Sequence, residues 1–268
     1  MTTASCFIVD AFTSVPFAGN PAAIVPLEHW LDDATLQAIA AEMNLSETAF
    51  FVPEDDELRL RWFTPRVEVD LCGHATLAAA HVIFERIDPA RSVVRFRTRS
   101  GVLEVSRDGE RLVMDFPSRP PTAIAMDEAV SRALGAQPVA LLKARDLVAV
   151  FEHASQVREL HPDFAAIAAL DTFAVCATAP GDDRDADVAF VSRFFAPAKG
   201  VSEDPVTGSA HCTLTPYWAE RLGKTRMRSR QVSPRGGELE VELRGDRVLL
   251  SGQAVLVLEG KLHLPLGA

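Results

Sequence analysis

Three polar side chains lie at positions where the sequence could support acid–base chemistry. Glu47 begins an apolar segment, and beside Phe50 and Phe51 its carboxylate would be partly desolvated, which suits a group that takes up and returns a proton near neutral pH. His74 directly follows a glycine that opens an apolar helical pattern, and Asp204 precedes a proline in a turn-like stretch. Each has an ordinary structural alternative: a strand-end acid, a core or capping histidine, and an aspartate that starts a turn. Their types together indicate proton transfer on a small molecule.

Two glycines at the start of helical patterns predict a place for an anion. Gly73 is followed by His74, and Gly208 is followed by Ser209 and Ala210. The N–H groups and the dipole at a helix N-terminus attract negative charge, and small residues let a ligand approach the backbone closely. Ser209 also fits a plain role in the first turn of its helix. The pattern predicts a small carboxylated metabolite as the ligand.

Several common chemistries lack their sequence signals. Cys72 and His74, like His211 and Cys212, do not have the paired spacing of a zinc site. The chain contains no Gly-x-Gly-x-x-Gly or Walker sequence for a nucleotide, and no Gly-x-Ser-x-Gly turn for a serine nucleophile. We therefore expect neither a metal nor a cofactor.

The elements that must position these residues are short strands alternating with a few helices. Runs of strands with few long helices favour an α+β fold over a doubly wound parallel sheet. Apolar residues at the helical period predict helices over Asp32–Met43, Gly73–Arg86, Asp127–Leu134, Phe164–Leu170 and Gly208–Leu222. Alternating apolar residues and turn signals predict strands near Cys6–Phe12, Ala22–Pro26, Ala49–Val52, Leu58–Phe63, Val93–Thr98, Val102–Ser106, Leu112–Phe116, Val139–Leu142, Asp146–Phe151, Phe173–Thr178, Asp187–Phe195, Leu239–Leu243, Val248–Ser251 and Ala254–Glu259.

An internal repeat organises these elements. The segment Arg61–Pro65 recurs 132 residues later as Arg193–Pro197, and Gly73 recurs 135 residues later as Gly208. A repeat of this kind predicts two similar halves, with a small insertion in one loop. We place the halves at residues 1–118 and 119–268, with a returning C-terminal strand packed on the first. Packed about a pseudo-two-fold axis, both helix N-termini would face one cleft, which is the expected active site.

A two-thiol racemase or epimerase is the main rival interpretation. Cys72 precedes a helix-opening glycine, a position that favours a thiolate. The repeat aligns Cys72 with Thr207, however, and Cys212 lies a turn into the second helix. The second thiol is missing, so the repeat disfavours this chemistry.

Composition limits the partners. The 268 residues include 27 Lys and Arg against 37 Asp and Glu, a net charge of −10, which argues against nucleic acid or an anionic membrane as partner. Four cysteines without paired spacing are expected to be free, buried thiols. The N-terminal segment lacks a basic region followed by an apolar run, and no stretch is long enough to span a bilayer. We expect a cytoplasmic protein.

The motifs that carry these residues resemble the phenazine-biosynthesis PhzF-like family, which has the diaminopimelate epimerase fold. The resemblance extends over essentially the full length and rests on five segments in order. They are Phe17–Ala23, Asn44–Phe50, Arg61–Pro65, Glu68–Ala78 and Glu203–His211.

The resemblance implies two pseudo-symmetric domains, each an antiparallel sheet wrapped around a central helix, with the active site in the cleft. It also implies a homodimer and cofactor-free isomerase chemistry, such as the tautomerisation of trans-2,3-dihydro-3-hydroxyanthranilate. By this resemblance Glu47 moves the hydrogen between ring carbons, while His74 and Asp204 orient the substrate. The substrate-binding positions so implied are Gly73, Gly208, Ser209 and Asn20.

Two alternatives remain beside a Glu47-dependent isomerase. One is an epimerase that uses Cys72. The other is a non-catalytic protein that captures a small acid.

Overall fold

The computed structural model describes residues 2–55 and 57–264 as a mixture of strands and short helices. The α+β class is confirmed. The earlier strands are β1 Thr2–Ala11, β2 Asn20–Pro26, β3 Glu47–Glu54, β4 Glu57–Phe63, β5 Glu68–Val69, β6 Val93–Thr98, β7 Gly101–Asp108 and β8 Arg111–Pro117. The later strands are β9 Thr122–Ile124, β10 Ala140–Lys143, β11 Leu147–Val150, β12 Val175–Pro180, β13 Phe190–Ala196, β14 Val201–Asp204, β15 Arg226–Gln231, β16 Gly237–Arg244, β17 Arg247–Gly252 and β18 Ala254–Leu264. The α-helices are α1 Asp33–Met43, α2 Gly73–Val82, α3 Glu128–Leu134, α4 Ala154–Arg158, α5 Phe164–Ala168 and α6 Gly208–Leu222.

The chain divides into two compact units. Unit 1 takes the residues up to Asp115 and those from Ser251 onward, and unit 2 takes Phe116–Leu250. The C-terminal strand β18 pairs antiparallel with β1 over its length. Unit 1 is therefore built from both ends of the sequence.

Unit 1 is a mixed sheet around a buried helix. Its strands pair in the order β18, β1, β2, β3, β4, β6, β7, β8, and the β2–β3 and β4–β6 pairs are parallel while the others are antiparallel. A helix crosses over within each parallel connection, as parallel strands require. Helix α2 contributes eight buried residues, mostly alanine and other small or aliphatic side chains. Such a helix must be covered by the sheet on nearly all sides.

Unit 2 repeats this pairing. Its strands run β9, β10, β11, β12, β13, β15, β16, and the β11–β12 and β13–β15 pairs are parallel. Helix α6 takes the place of α2, and ten of its residues are buried. The central helix expected in each half is confirmed, and the parallel pairs make both sheets mixed.

The predicted insertion lies in the connection from β13 to β14. There the Pro197–Lys199 segment forms a 3₁₀ turn and the strand pairing shifts between Phe194 and Ala196. On either side of it the repeat is kept in detail, since Arg61 forks onto Glu68 in unit 1 and Arg193 onto Glu203 in unit 2.

The structure corrects several predicted elements. The helix expected over Gly73–Arg86 is α-helical only to Val82 and then continues as a π-helix over Ile83–Ile87. Strand β15 was not predicted, because its inward positions Ser229 and Gln231 are polar. Among the described residues no helix has the length and hydropathy needed to cross a membrane. All four cysteines are free and buried, as expected.

Candidate active site

In unit 1, three chain segments place polar residues at one end of the sheet. Asn20 begins β2 and Glu47 begins the parallel neighbour β3, where Glu47 lies opposite Ala22. Gly19, just before β2, has φ +65°, and a side chain there would collide with the Ala11 carbonyl. Only glycine meets both demands, so this turn fixes where Asn20 enters the strand.

His74, in the first turn of α2, connects these residues. Its Nδ1 lies 3.2 Å from the Asn20 side-chain nitrogen, and its Nε2 lies 3.2 Å from Glu47 Oε2. With the Asn20 amide as donor, Nδ1 is the accepting nitrogen and Nε2 carries the hydrogen. The Nε2 hydrogen therefore lies on the side of the Glu47 carboxylate, although the pair is not aligned as a hydrogen bond.

Burial keeps this imidazole neutral. The His74 side chain is 7% exposed, and desolvation lowers its pKa from 6.5 to about 3. Glu47, at 15% exposed, retains some contact with solvent. A neutral donor beside a partly exposed carboxylate leaves Glu47 able to exchange a proton with a ligand.

The apolar surroundings of Glu47 differ in part from the sequence-based expectation. Side chains alternate along a strand, so Phe51 shares the face of Glu47, whereas Phe50 lies on the other face and packs edge-on against Phe63. Both phenylalanines are buried. Four residues of strand span about 13 Å, so Phe51 lies on the face of Glu47 without adjoining it, and Ala49 is the nearest residue on that face.

Cys72 completes this group and raises the question of a metal. Ligand-type atoms of Glu47, Cys72 and His74 lie within 4.8 Å of one another. However, Cys72 Sγ approaches Nδ1 at 3.5 Å, whereas Glu47 approaches Nε2. The thiol and the carboxylate thus approach different ring nitrogens, while one ligand atom from each residue stays close enough to the others to hold an ion.

In unit 2, Asp204 belongs to a compact hydrogen-bonded network. Its Oδ2 accepts from Thr207 Oγ1 at 2.5 Å, and its carbonyl accepts from Gln231 Nε2 at 2.6 Å. Gln231 is fully buried and also accepts from the Thr207 amide at 2.9 Å. Sequence reasoning missed Gln231 because the strand that carries it lacked an apolar pattern. The network holds Asp204 in place at the start of α6.

Gly208 and Ser209 form the first turn of α6, next to Asp204. The N-cap residue Thr207 makes no side-chain capping bond to the helix, and Cys72 makes none to α2. Both helix N-termini thus keep uncapped N–H groups beside Gly73 and Gly208, which suits an anion. The structure brings Asn20, Glu47, Gly73 and His74 together in one unit, and Asp204, Gly208 and Ser209 together in the other.

The buried histidines lead to a pH prediction. Burial lowers the pKa of His74 to about 3 and that of His211 to about 4, each from 6.5. Below pH 6.5 the unfolded chain binds protons that the folded chain refuses, so stability falls as the pH drops toward 4. Urea denaturation gives the free energy of unfolding at each pH between 7 and 4. Its slope against pH should be shallower for His211→Asn than for wild type, by the equivalent of nearly one proton. His29→Asn, at an exposed position, is the control and should keep the wild-type slope. Equal slopes for wild type and His211→Asn would contradict the prediction.

The chain is similar to known proteins over nearly its whole length. Residues 9–260 match the family model PhzC-PhzF, described as phenazine biosynthesis-like protein. An uncharacterized isomerase of Pseudomonas aeruginosa is 53% identical over 258 residues, covering 96% of this chain and 98% of the relative. A crystal structure of a PhzF-family protein from Enterococcus faecalis superposes with a TM-score of 0.95 at 45% identity, covering 98% of this chain and all of that one. A predicted epimerase from Pseudomonas aeruginosa shares the fold, with a TM-score of 0.76 at 21% identity over 97% of this chain and 99% of that one.

Proposed function

This chain belongs to the PhzC-PhzF family of phenazine biosynthesis-like proteins, and we propose that it is a cofactor-independent isomerase in which Glu47 shifts a proton on a small carboxylated cyclic amine. Relatives named as isomerases support the reaction class. The observation that carries the proposal is the contact between His74 Nε2 and Glu47 Oε2 at 3.2 Å, with Asn20 on the other ring nitrogen.

The mechanism follows from these groups. The Glu47 carboxylate removes a proton from one carbon of the substrate and returns it to another. His74, neutral because it is buried, keeps its Nε2 within 3.2 Å of Glu47 Oε2 and so limits where that carboxylate can lie. Because His74 takes no charge itself, Glu47 holds the proton between the two steps, and its 15% exposure lets that proton exchange with solvent.

The duplication favours a single base. Thr48 pairs with Phe63 in β3–β4, and Val175 pairs with Phe195 in β12–β13. Phe63 and Phe195 are equivalent in the repeat, so the position that corresponds to Glu47 in unit 2 is Ala174. Only one of the two repeats therefore carries a base at this position. This favours return of the proton by the same residue over inversion by two bases.

The substrate carboxylate has candidate partners in the uncapped helix N-termini. We assign it to Ser209 and to the amides of Gly73 and Gly208, and we assign the amino and hydroxyl groups to Asp204 and His74. Preorganised N–H donors stabilise the negative charge that develops as the proton leaves carbon. This arrangement needs no cofactor for the step.

The proposal is tested with trans-2,3-dihydro-3-hydroxyanthranilate in deuterated buffer. We expect the ketone tautomer to form, with deuterium at the newly protonated carbon, as followed by NMR and mass spectrometry. Calorimetric binding of this acid without conversion would instead identify a silent binding protein. Absence of both would reject this substrate and require other carboxylated cyclic amines.

Cys72 supports a second candidate, an epimerase. Its Sγ lies 3.5 Å from His74 Nδ1, a contact that could activate a thiol as a base. Under our proposal Cys72→Ser keeps kcat within about threefold, since the thiol carries no proton in the reaction. Loss of about 100-fold or more, together with inactivation of a Cys72-only variant by alkylation, would favour the epimerase.

A further inference from the structure

Arg145 is a fixed cation next to the start of α6. It lies in the turn between β10 and β11, and its guanidinium forks onto Asp146, with Nε–Oδ1 at 3.0 Å and Nη2–Oδ2 at 3.2 Å. Asp146 is buried at 2% exposure. A buried carboxylate holding the neighbouring side chain restricts the guanidinium to one direction.

The aromatic ring of Phe173 packs against the same guanidinium. The Arg145 guanidinium lies 4.3 Å from the ring centroid, and Lys199 Nζ lies 5.2 Å from it. Within residues 2–55 and 57–264, Lys199 has no carboxylate at ion-pair distance. The two cations lie against one ring, and the Asp146 carboxylate neutralises only Arg145, so a net positive charge is left for an anionic ligand.

The Arg145 nitrogen that binds Asp146 Oδ2 also reaches Ser209. This atom, Nη2, donates to Ser209 Oγ at 3.2 Å. No acceptor for the Ser209 hydroxyl hydrogen occurs in the part of the chain that the structure describes. The hydroxyl accepts from a cation and keeps its own hydrogen to donate, so Ser209 is prepared to bind an oxygen anion.

We propose that Arg145 is a positioning residue that selects a carboxylate over a neutral group at Ser209. It acts through the Ser209 hydroxyl and through its own charge. The inference rests on the proposed function for the identity of the bound group. It adds a specificity determinant that the sequence motifs do not contain.

The test compares a matched pair of ligands, anthranilate and anthranilamide, by calorimetry. Wild type should prefer the carboxylate by about 10- to 100-fold, the range of a charge-assisted bond. Arg145→Met should reduce that preference to less than about threefold, and Arg145→Lys should restore part of it. Arg226→Met removes an exposed arginine of the same unit, paired with Glu242, and should leave the preference unchanged.

Turnover separates a positioning role from a structural one. Arg145→Met should raise KM for the carboxylated substrate with kcat little changed, since the bond is made equally in the ground and transition states. Wild type that binds both ligands equally, or Arg145→Met or Arg145→Gln that folds and keeps the preference, would overturn the inference. Loss of preference in Arg145→Met, combined with full deuterium incorporation by Glu47→Gln, would uphold it and reject the proposed base.

Discussion

Replacing Glu47 by glutamine is expected to lower kcat about 1000-fold, because a positioned acid–base group contributes about 10²- to 10⁴-fold. Glutamine keeps the size and the hydrogen-bonding capacity of the side chain but cannot carry a proton between carbons. His74 cannot replace it, since burial holds the pKa of that imidazole at about 3 and leaves it neutral at working pH. KM should change only a few fold, because the groups assigned to the carboxylate are intact.

The same strand offers the matched control. Glu54 ends β3 as Glu47 begins it, and Glu54 pairs instead with Arg59 at 3.4 Å and Arg97 at 3.6 Å. Glu54→Gln should retain kcat within about twofold, as expected for a surface ion pair. Steady-state kinetics and deuterium incorporation of both variants give the answer. Comparable losses in Glu47→Gln and Glu54→Gln, or full turnover by Glu47→Gln, would exclude Glu47 as the proton carrier.

The sequence identified those candidate site residues whose chemical type coincides with a clear local pattern. Glu47, His74 and Gly73 each lie at the start of an element whose apolar pattern is clear, so their positions along the chain could be read and their grouping expected. The contacts that join Asn20, His74 and Glu47 could not be expected from the sequence, since they depend on which ring nitrogen of His74 faces which strand. The contact of Cys72 with His74 is equally a matter of rotamers.

The residues that sequence reasoning missed lie where the pattern is weak. Gln231 is a buried polar residue on β15, and its inward neighbour Ser229 is also buried. A strand is recognised by apolar residues on the buried face, and here that face is partly polar because it carries the Asp204 network. Arg145 lies in a turn with no motif around it. Function of this kind appears only when packing brings distant side chains together.

The repeat was readable because two units with one pairing order need the same residues at the same structural positions. Arg61 and Arg193 occupy equivalent strands, and each forks onto a glutamate. Each guanidinium also lies about as far from a phenylalanine ring, 5.0 Å for Arg61 and 5.1 Å for Arg193. Their surroundings otherwise differ, and this difference predicts unequal contributions to stability.

Arg193 has more buried hydrogen-bond partners than Arg61. Its side chain is 10% exposed, and it forks onto Glu203, which is 13% exposed. Within the described residues Glu203 has no other cation at ion-pair distance, whereas Glu68 is also bound by Arg99 at 2.8 Å. Arg193 Nη1 donates in addition to three carbonyl oxygens of the α4 region. These belong to Val157, Arg158 and Leu160.

Arg193→Met is therefore expected to lower the free energy of unfolding by about 3–5 kcal/mol, the cost of removing one partner of a buried ion pair. The change leaves Glu203 as an uncompensated charge and three buried carbonyls without their donor. Arg61→Met is the matched control and should cost about 1.5–3 kcal/mol, the loss of hydrogen bonds to a charged group, because Glu68, at 14% exposed, keeps Arg99. Urea denaturation measures both, and hydrogen exchange shows whether the loss is confined to the unit that carries the change. Combining Arg193→Met with Glu203→Leu should recover part of the loss, since an apolar pair carries no stranded charge. Equal costs for Arg193→Met and Arg61→Met would mean that neither the second cation on Glu68 nor the carbonyl contacts of Arg193 decide the strength of these pairs.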